Sequence, residues 1–350
     1  MPGDRGMRAD ATTCYRHGPP AADEDRCGTR DDHPVKAPFF IVGCPRSGTT
    51  LMAVLMDRHP GITVPPETHF LIFEQRLSRV AGQGHGAMLE AYWREWRVAD
   101  LELDREDVGR RFASRPCSAR SLFESVMEAW ASKARKPRWG EKTPIHLAKL
   151  GLAFEWFPNA KAIVVLRDGR DVVESMRRMS WGRNPWDHAA EWRRAVRAGE
   201  AALRRWPHRV ILTRYEDLLS EPEVQLRRLM QFLGEDFDPR QLDAAAPSAV
   251  VKERERGWKG RADQALDPSR ASAWHRSLSG DALVEANARL GPELRRTGYP
   301  ETVVAGCLLR RTRWTLRRVT WMLWTDLRAQ KARRVCQRLL KRPGRPAKTA

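Results

Sequence analysis

Apolar and polar positions divide the chain into a recurring unit, in which a mostly apolar run leads through a short polar loop into a segment of helical periodicity. The apolar runs are APFFIVG at 37–43, AKAIVVLR at 160–167 and HRVILTRYE at 208–216. Runs of this kind are typical of strands that are buried on both faces of a parallel sheet. Helices are predicted to follow them at 49–58, 168–179 and 221–233. This order predicts an α/β fold of three layers, a central parallel sheet with helices on both sides.

The stretches between these units are less regular. Residues 67–135 have the periodicity of several helices, which carry the tryptophans Trp93, Trp96 and Trp130. The segment 250–275 is rich in charges and is predicted to be a loop. A last helix of the domain is predicted over 279–298.

The stretch WGEKTPIHL at 139–147 is predicted to be a turn that leads into a helix. Thr143 would be the N-cap of that helix and Pro144 its first residue, since proline suits a position where no backbone N–H is needed. The large apolar side chain of Trp139 predicts that this turn is buried.

Both ends of the chain differ from the domain predicted at 37–300. Residues 1–36 lack apolar periodicity and are predicted to be disordered. The net charge is +19, of which +12 falls within 301–350. A basic helix with leucine and tryptophan is predicted at 303–341, and three roles stay open for it: contact with an anionic membrane, pairing with a partner, or packing on the domain. No specific nucleic-acid motif is present.

The composition narrows the class of protein. The spacing of the cysteines fits neither a disulfide framework nor a zinc motif. They are Cys14, Cys27, Cys44, Cys117, Cys307 and Cys336. The sequence also shows no signal peptide and no apolar run long enough to span a membrane. A cytoplasmic protein is therefore expected, with peripheral attachment to a membrane through the basic helix as a further possibility.

The loop after the first predicted strand is GCPRSGTT, at 43–50. Gly43 and Gly48 have the spacing of a phosphate-binding loop, whose backbone N–H groups and following helix N-terminus bind anions. Thr49 stands where a nucleotide triphosphatase carries lysine, and Arg46 is the cation within the loop. A sulfuryl group carries less negative charge than a terminal phosphoryl group, so the loop favours sulfuryl transfer.

PRSGTT after a buried strand resembles the 5′-phosphosulfate loop of sulfotransferases that use 3′-phosphoadenosine 5′-phosphosulfate (PAPS). IVVLRDGRDVVESM is similar to the 3′-phosphate motif of that family, with Arg167 and Ser175 at its binding positions. The resemblance covers about 37–300 and implies a fold like that of P-loop nucleotide kinases. It also implies PAPS as co-substrate, no metal, and a phosphosulfate site in the first loop. The residues of that site would be Arg46, Ser47, Gly48, Thr49 and Thr50.

The resemblance also implies catalytic residues. The acceptor must lose a proton as its oxygen attacks sulfur, and PPETHF is similar to the stretch that carries a glutamate base in tyrosylprotein and several bacterial sulfotransferases. This makes Glu67 the predicted base, with His69 and His59 as alternatives and helix capping as a structural role for the same glutamate. Lys142 in WGEKTP is similar to a lysine that reaches the leaving phosphate.

Weaker similarities lie in the last third of the chain. SRASAW resembles the Ser-x-Trp of the tyrosylprotein branch, where the serine assists the leaving phosphate, and it would give that role to Ser272. GWKGR offers Lys259 or Arg261 to the 3′-phosphate, although an exposed charged loop also explains it. Tyr215 in RYEDL is expected to pack and position rather than to react.

The function predicted on this basis is transfer of a sulfuryl group from PAPS to a hydroxyl acceptor. Two alternatives stay open, a small-molecule kinase with a degenerate phosphate loop and a membrane-docking protein with a vestigial sulfotransferase domain. Tryptophans offer aromatic faces for a carbohydrate or glycolipid acceptor, although such residues are more often part of a core. They are Trp93, Trp96, Trp181, Trp186 and Trp192.

Overall fold

The computed structural model of the protein describes residues 36–179, 185–278 and 280–300. Its strands are β1 Phe39–Gly43, β2 Ile62–Thr63, β3 Arg138–Lys142, β4 Lys161–Leu166 and β5 Val210–Arg214. Its first helices are α1 Thr49–Asp57, α2 Phe70–Arg79, α3 His85–Trp93, α4 Arg105–Ala113, α5 Ala119–Ala134, α6 Leu150–Trp156 and α7 Gly169–Arg177. The later helices are α8 Pro185–Arg205, α9 Tyr215–Ser220, α10 Pro222–Leu233, α11 Arg256–Lys259, α12 Trp274–Ser277 and α13 Gly280–Arg296.

The described strands form one parallel sheet in the order β2-β3-β1-β4-β5. Ile41 at the centre of β1 lies opposite Lys142 of β3 on one side and Ile163 of β4 on the other. The predicted α/β fold with a central parallel sheet is confirmed. Its strand count was too low, because only β1, β4 and β5 were predicted.

Alternate side chains of the central strand enter two different cores, as the period of a strand requires. Phe40 and Val42 pack in a core built largely from α2, α5 and α6. Phe39 and Ile41 face the opposite way, into a core with α1, α9 and α10. Helices therefore cover both faces of the sheet and give the three predicted layers. Among the described helices, none combines the length and the apolarity needed to cross a membrane.

The prediction of a turn at 139–142 is wrong, because these residues belong to β3, one strand from the centre of the sheet. The strand was missed because its sequence, RWGEK, is mostly polar. Gly140 is required within it, since the ring of Phe39 lies only 2.3 Å from where a β-carbon would stand. Thr143 and Pro144 do begin a helix, a 3-10 helix over Pro144–Lys149, but Thr143 makes no side-chain cap.

Smaller differences concern the irregular stretches. Trp96 lies in a turn after α3 rather than on a helix, and 250–275 contains short helical turns as well as loop. The predictions of disorder at 1–36 and of a basic helix at 303–341 lie outside the described residues.

Candidate active site

The carboxyl ends of all five described strands lie at one edge of the sheet, where parallel α/β folds bind their ligands. The loop 43–48 follows β1, Glu67 comes shortly after β2, and Lys142 ends β3. Arg167 follows β4, and Tyr215 follows β5. This edge therefore brings together the two sequence motifs and the predicted base, which lie far apart along the chain.

The predicted phosphate loop contains a tight turn, in which the Ser47 backbone N–H donates to the Cys44 carbonyl, and Gly48 follows this turn. This glycine has φ of 99° and lies against the ring of Tyr215, 2.3 Å from where a β-carbon would stand. No other residue fits there without displacing the tyrosine. Helix α1 begins at Thr49 without a side-chain cap. Its first backbone N–H groups therefore have no capping side chain, and such groups are what a helix N-terminus offers to an anion.

The ammonium that reaches this loop comes from a neighbouring strand. Lys142 Nζ lies 3.3 Å from Thr50 Oγ1 and donates to Glu67 Oε1 at 2.7 Å. One fully buried lysine thus contacts both the loop and the predicted base. The loop sequence has Thr49 where a lysine was expected, and in the structure a lysine of β3 lies beside the loop instead. The sequence pattern did not predict β3 as a strand.

The second motif meets the first through Arg46. Its Nε donates to Ser175 Oγ at 3.1 Å, and its carbonyl oxygen accepts from Arg167 at 3.4 Å. Burial and the nearby guanidiniums of Arg167 and Arg270 lower the pKa of Arg46. Arg46 therefore points out of its own loop and toward the residues predicted for the 3′-phosphate, which differs from its predicted place over the phosphosulfate. Crowded guanidiniums of this kind suit an anionic ligand, because charged donors make the strongest hydrogen bonds to phosphate oxygens.

Glu67 is buried among cations. Its Oε1 accepts from Lys142 and also from Lys259, at 2.8 Å, while its Oε2 lies 3.1 Å from His69 Nε2. Burial acts to raise the pKa of this carboxyl, but the Lys142 ammonium, the His69 hydrogen bond and the Lys259 ammonium together hold it well below its ordinary value. Burial lowers the pKa of Lys142 to about 8, against the opposing pull of Glu67.

A second buried carboxylate holds the loop that carries Glu67. Glu141 Oε1 accepts from Thr68 Oγ1 at 2.8 Å and from Thr143 Oγ1 at 2.7 Å, and its Oε2 lies 2.8 Å from His146 Nδ1. The Thr143 hydroxyl also accepts from the backbone of His69. Glu141, the residue next to Lys142, therefore anchors the loop that carries Glu67. Sequence analysis did not single out Glu141, and WGEKTP gives no signal that separates it from a surface glutamate.

Lys259 lies elsewhere than predicted. It is buried beside Glu67 and Glu255 rather than exposed or near the predicted 3′-phosphate residues. Glu255 in turn accepts from Arg97 at 2.7 Å. Glu255 and Arg97 were not predicted as site residues. The spacing of Glu255 and Lys259, one helical turn, indicates an ion pair but says nothing of its burial.

Two predicted residues lie apart from this cluster. In the described part of the chain, Ser272 does not line the cavity; it lies in a turn with φ of 56°, and its role stays a prediction. His59, an alternative base, contacts the backbone of Gly61 and Asp236 and does not line the cavity.

The predicted aromatic acceptor surface is only partly present. Trp192 is fully buried and donates to the Arg167 carbonyl, so it belongs to the core. Trp93 is partly buried and packs against the core, whereas Trp96 is 58% exposed and lines the cavity. Trp181 and the side chain of Trp186 lie outside what the structure describes.

A cavity of about 1160 Å³ joins these groups. Its lining includes Arg46, Thr50, Glu67, Arg167 and Lys259, and it carries more basic than acidic side chains. A nucleotide with phosphate and sulfate groups suits such a surface. Two buried polar atoms make no hydrogen bond among the residues described: Arg167 Nε, on a residue that lines this cavity, and Ser47 Oγ, on a loop residue that lines a separate small pocket. Buried polar groups are rarely left unpaired, so the Arg167 Nε fits a ligand in this cavity that accepts hydrogen bonds.

Comparison with known proteins identifies the class of protein. The model of the sulfotransferase family matches residues 38–239, more than half of the chain. The chain therefore belongs to the sulfotransferase family, and it is a PAPS-dependent enzyme of that family. Of the two kinds of group transfer weighed from the loop sequence, this finding supports transfer of sulfuryl rather than phosphoryl.

Several known proteins and solved structures that are similar to this chain are also sulfotransferases. Protein-tyrosine sulfotransferase A of Caenorhabditis elegans is 27% identical over 75% of this chain and 67% of its own length. The nodulation protein NoeE of Sinorhizobium fredii is 25% identical over 86% of this chain and 76% of its own. Among solved structures, the sulfotransferase domain of the Synechococcus PCC 7002 olefin synthase matches with a TM-score of 0.54 and 25% identity, covering 77% of this chain and 98% of the domain.

Proposed function

We propose that the protein transfers a sulfuryl group from PAPS to a hydroxyl acceptor, with Glu67 as the general base. One observation carries this proposal: the Lys142 ammonium lies between the Glu67 carboxylate, at 2.7 Å, and the Thr50 hydroxyl of the phosphate loop, at 3.3 Å. A base, a cation and an anion-binding loop thus meet at one point, as in-line transfer from a phosphosulfate requires.

In the proposed step, the acceptor O–H proton passes to Glu67 while the acceptor oxygen forms a bond to sulfur. The bond between sulfur and the bridging phosphate oxygen breaks, and adenosine 3′,5′-bisphosphate leaves with that electron pair. Negative charge grows on the bridging oxygen as this bond breaks, so the Lys142 ammonium stabilises the transition state more than the ground state. Every proton and charge in this step is thereby assigned to a group of the protein or its substrates.

The two phosphate-bearing ends of PAPS are assigned to the two motifs. The backbone of 47–50 and the hydroxyls of Ser47, Thr49 and Thr50 would hold the 5′-phosphosulfate. Arg167 and Ser175 would hold the 3′-phosphate, and the orientation of Arg46 toward Ser175 favours adding it to this second set. The unpaired Arg167 Nε supports the assignment, because a phosphate oxygen would complete it.

The acceptor is proposed only as a hydroxyl compound. Relatives named protein-tyrosine sulfotransferases support an oxygen acceptor, and at 26–28% identity they support nothing narrower. The exposed ring of Trp96 at the cavity gives the acceptor an aromatic face to stack on.

Turnover of labelled PAPS tests this function. Purified protein is incubated with PAPS that carries radioactive sulfur and with a cell extract as the source of acceptors. We expect labelled sulfate in an extract compound and stoichiometric release of adenosine 3′,5′-bisphosphate. Calorimetry in the presence of a chelator is the companion experiment, and the bisphosphate should bind without magnesium. Binding of magnesium-ATP instead, or PAPS that is never consumed, would contradict the proposal.

A further inference from the structure

Two lysines share one oxygen of the proposed base. Lys142 Nζ and Lys259 Nζ lie 2.7 Å and 2.8 Å from Glu67 Oε1. Lys142 comes from the end of β3, whereas Lys259 ends the short helix α11 within the segment predicted to be a charged loop. The presence of two indicates that they do different work.

The second contact of each lysine separates their roles. Lys142 also contacts Thr50, in the loop assigned to the phosphosulfate, at 3.3 Å. Lys259 instead donates to Glu255 at 2.9 Å, and Glu255 accepts from Arg97 on the far side. Lys142 is therefore positioned to move toward a bound phosphate, while Lys259 is held by a pair of charges that lies away from that loop.

A buried carboxylate needs a cation to stay ionised. If Lys142 turns to the leaving phosphate, Glu67 loses its shortest ion pair at the moment when it must accept a proton. We propose that Lys259 is a positioning residue that keeps Glu67 ionised and oriented while Lys142 serves the leaving phosphate. This proposal rests on the proposed function only in taking Glu67 as the base and the loop as the phosphosulfate site.

The charges around Glu67 come from several elements, and each bears on its protonation. Lys142 faces it from β3, Lys259 from α11, and His69 from its own loop. Arg46 acts on it at longer range, and Glu255 opposes Lys259. Substitution of Lys259 removes one of these contacts without touching the phosphate loop, so it isolates the proposed role.

Infrared difference spectroscopy measures this role directly. The pH midpoint of Glu67 protonation is recorded in the full-length protein, and the Glu67→Gln variant identifies the band. We expect Lys259→Met to raise the midpoint by roughly one to three pH units, as loss of an adjacent opposite charge does. The rise should be larger with adenosine 3′,5′-bisphosphate bound, since Lys142 is then engaged with the phosphate. Lys259→Arg should restore most of the original midpoint.

Control variants keep this test decisive. Lys252→Met removes a lysine of the same segment, one that pairs with Glu102 instead and does not line the cavity, and it should leave the midpoint unchanged. Thermal melting shows whether the Lys259→Met variant folds. If it does not, the pH midpoint is measured on Lys259→Gln, whose side chain keeps a polar end. A folded Lys259→Met or Lys259→Gln variant with an unchanged midpoint would overturn the proposal.

The spectrum needs no acceptor, so the two proposals can fail separately. If the wild-type protein transfers sulfuryl but the Lys259 variants keep the original pH midpoint of Glu67 protonation, only the role of Lys259 is contradicted. A protein that shows the predicted shift but never consumes PAPS would remove the proposed function instead.

Discussion

The two ends of the cavity are built in different ways. At the end assigned to PAPS, the functional groups lie in strands of the parallel sheet or shortly after them: Thr50 at the start of α1 after β1, Lys142 at the end of β3 and Arg167 directly after β4. The second end begins at Glu67, whose Oε1 contacts both Lys142 and Lys259, and there Lys259 and Trp96 lie in irregular or short helical segments that the sheet does not position. The first end takes its geometry from backbone hydrogen bonds of the sheet, and the second from side-chain pairs.

The second end is held together chiefly by charge. Glu255 joins Lys259 to Arg97, and the Arg97 guanidinium lies 4.0 Å from the ring centre of Trp96. Asp100 pairs with both Arg97 and Arg254 on the other side. We expect a change of sequence at this end to alter the proposed acceptor surface without disturbing the sheet. From this difference in construction we expect that substitutions at the second end change acceptor binding more than PAPS binding.

Substitution of Lys142 should have the largest effect among the changes at the PAPS end. Lys142→Met removes the cation placed for the leaving phosphate, and we expect kcat to fall by about 10²–10³, as for loss of one preorganised charge contact in a transition state. The KM for PAPS should change far less. Single-turnover kinetics on the acceptor found with labelled PAPS measures this, with Lys252→Met as the control. If kcat/KM fell by the same factor only because the KM for PAPS rose, with kcat unchanged, Lys142 would contribute to PAPS binding and not to the chemical step.

Substitution of Arg167 should act on binding rather than on the chemical step. Arg167→Met removes charged hydrogen bonds, each of about 1.5–3 kcal/mol, so we expect affinity for adenosine 3′,5′-bisphosphate to fall by roughly 10- to 100-fold. Calorimetry measures this affinity. The matched control is Arg178→Met, an exposed arginine that follows α7 and pairs with Glu174. Adenosine 5′-phosphosulfate lacks the 3′-phosphate. If the Arg167→Met variant loses as much affinity for this compound as for the bisphosphate, then Arg167 does not bind the 3′-phosphate.

The smallest effect is expected at the other end of the cavity. Trp96→Ala removes an aromatic face worth about 0.5–1.5 kcal/mol in a stacked pair, so the acceptor KM should rise by roughly 2- to 10-fold. The KM for PAPS and the melting temperature should not change, because the ring is largely exposed. Trp96→Phe should recover part of the loss. A change in PAPS binding of similar size would contradict the separation of the two ends.

The sequence predicted the strands and candidate PAPS residues wherever a buried strand led into a loop with glycine or a charge at fixed spacing. β1 and β4, with Gly48, Arg167 and Ser175 beyond them, were predicted because apolar runs are visible and loop chemistry is local. β3 was not, because its functional residues make it polar. Glu141 and Lys142 are satisfied by partners that lie far away along the chain, such as Thr68 and Glu67.

The burial of Lys259 was beyond prediction for a related reason. Its segment, VVKERERGWKGR, has the composition of a solvated loop, and what buries it is contact with Glu67, 192 residues away. The same holds for Arg46, whose direction depends on Ser175, 129 residues away. Local pattern predicts what a residue can do, whereas the partner that decides its role is set by the tertiary fold.

The assignment of Glu67 as the general base is tested by a paired measurement on the Glu67→Gln variant. Loss of a general base lowers the rate of a reaction by a factor of about 10²–10⁴. We therefore predict that the rate of single-turnover transfer from PAPS falls by a factor of at least about 10². Calorimetry on the same sample should show adenosine 3′,5′-bisphosphate bound with nearly the affinity of the wild type. Transfer at the wild-type rate, or loss of bisphosphate binding together with transfer, would contradict the assignment of Glu67 as the base.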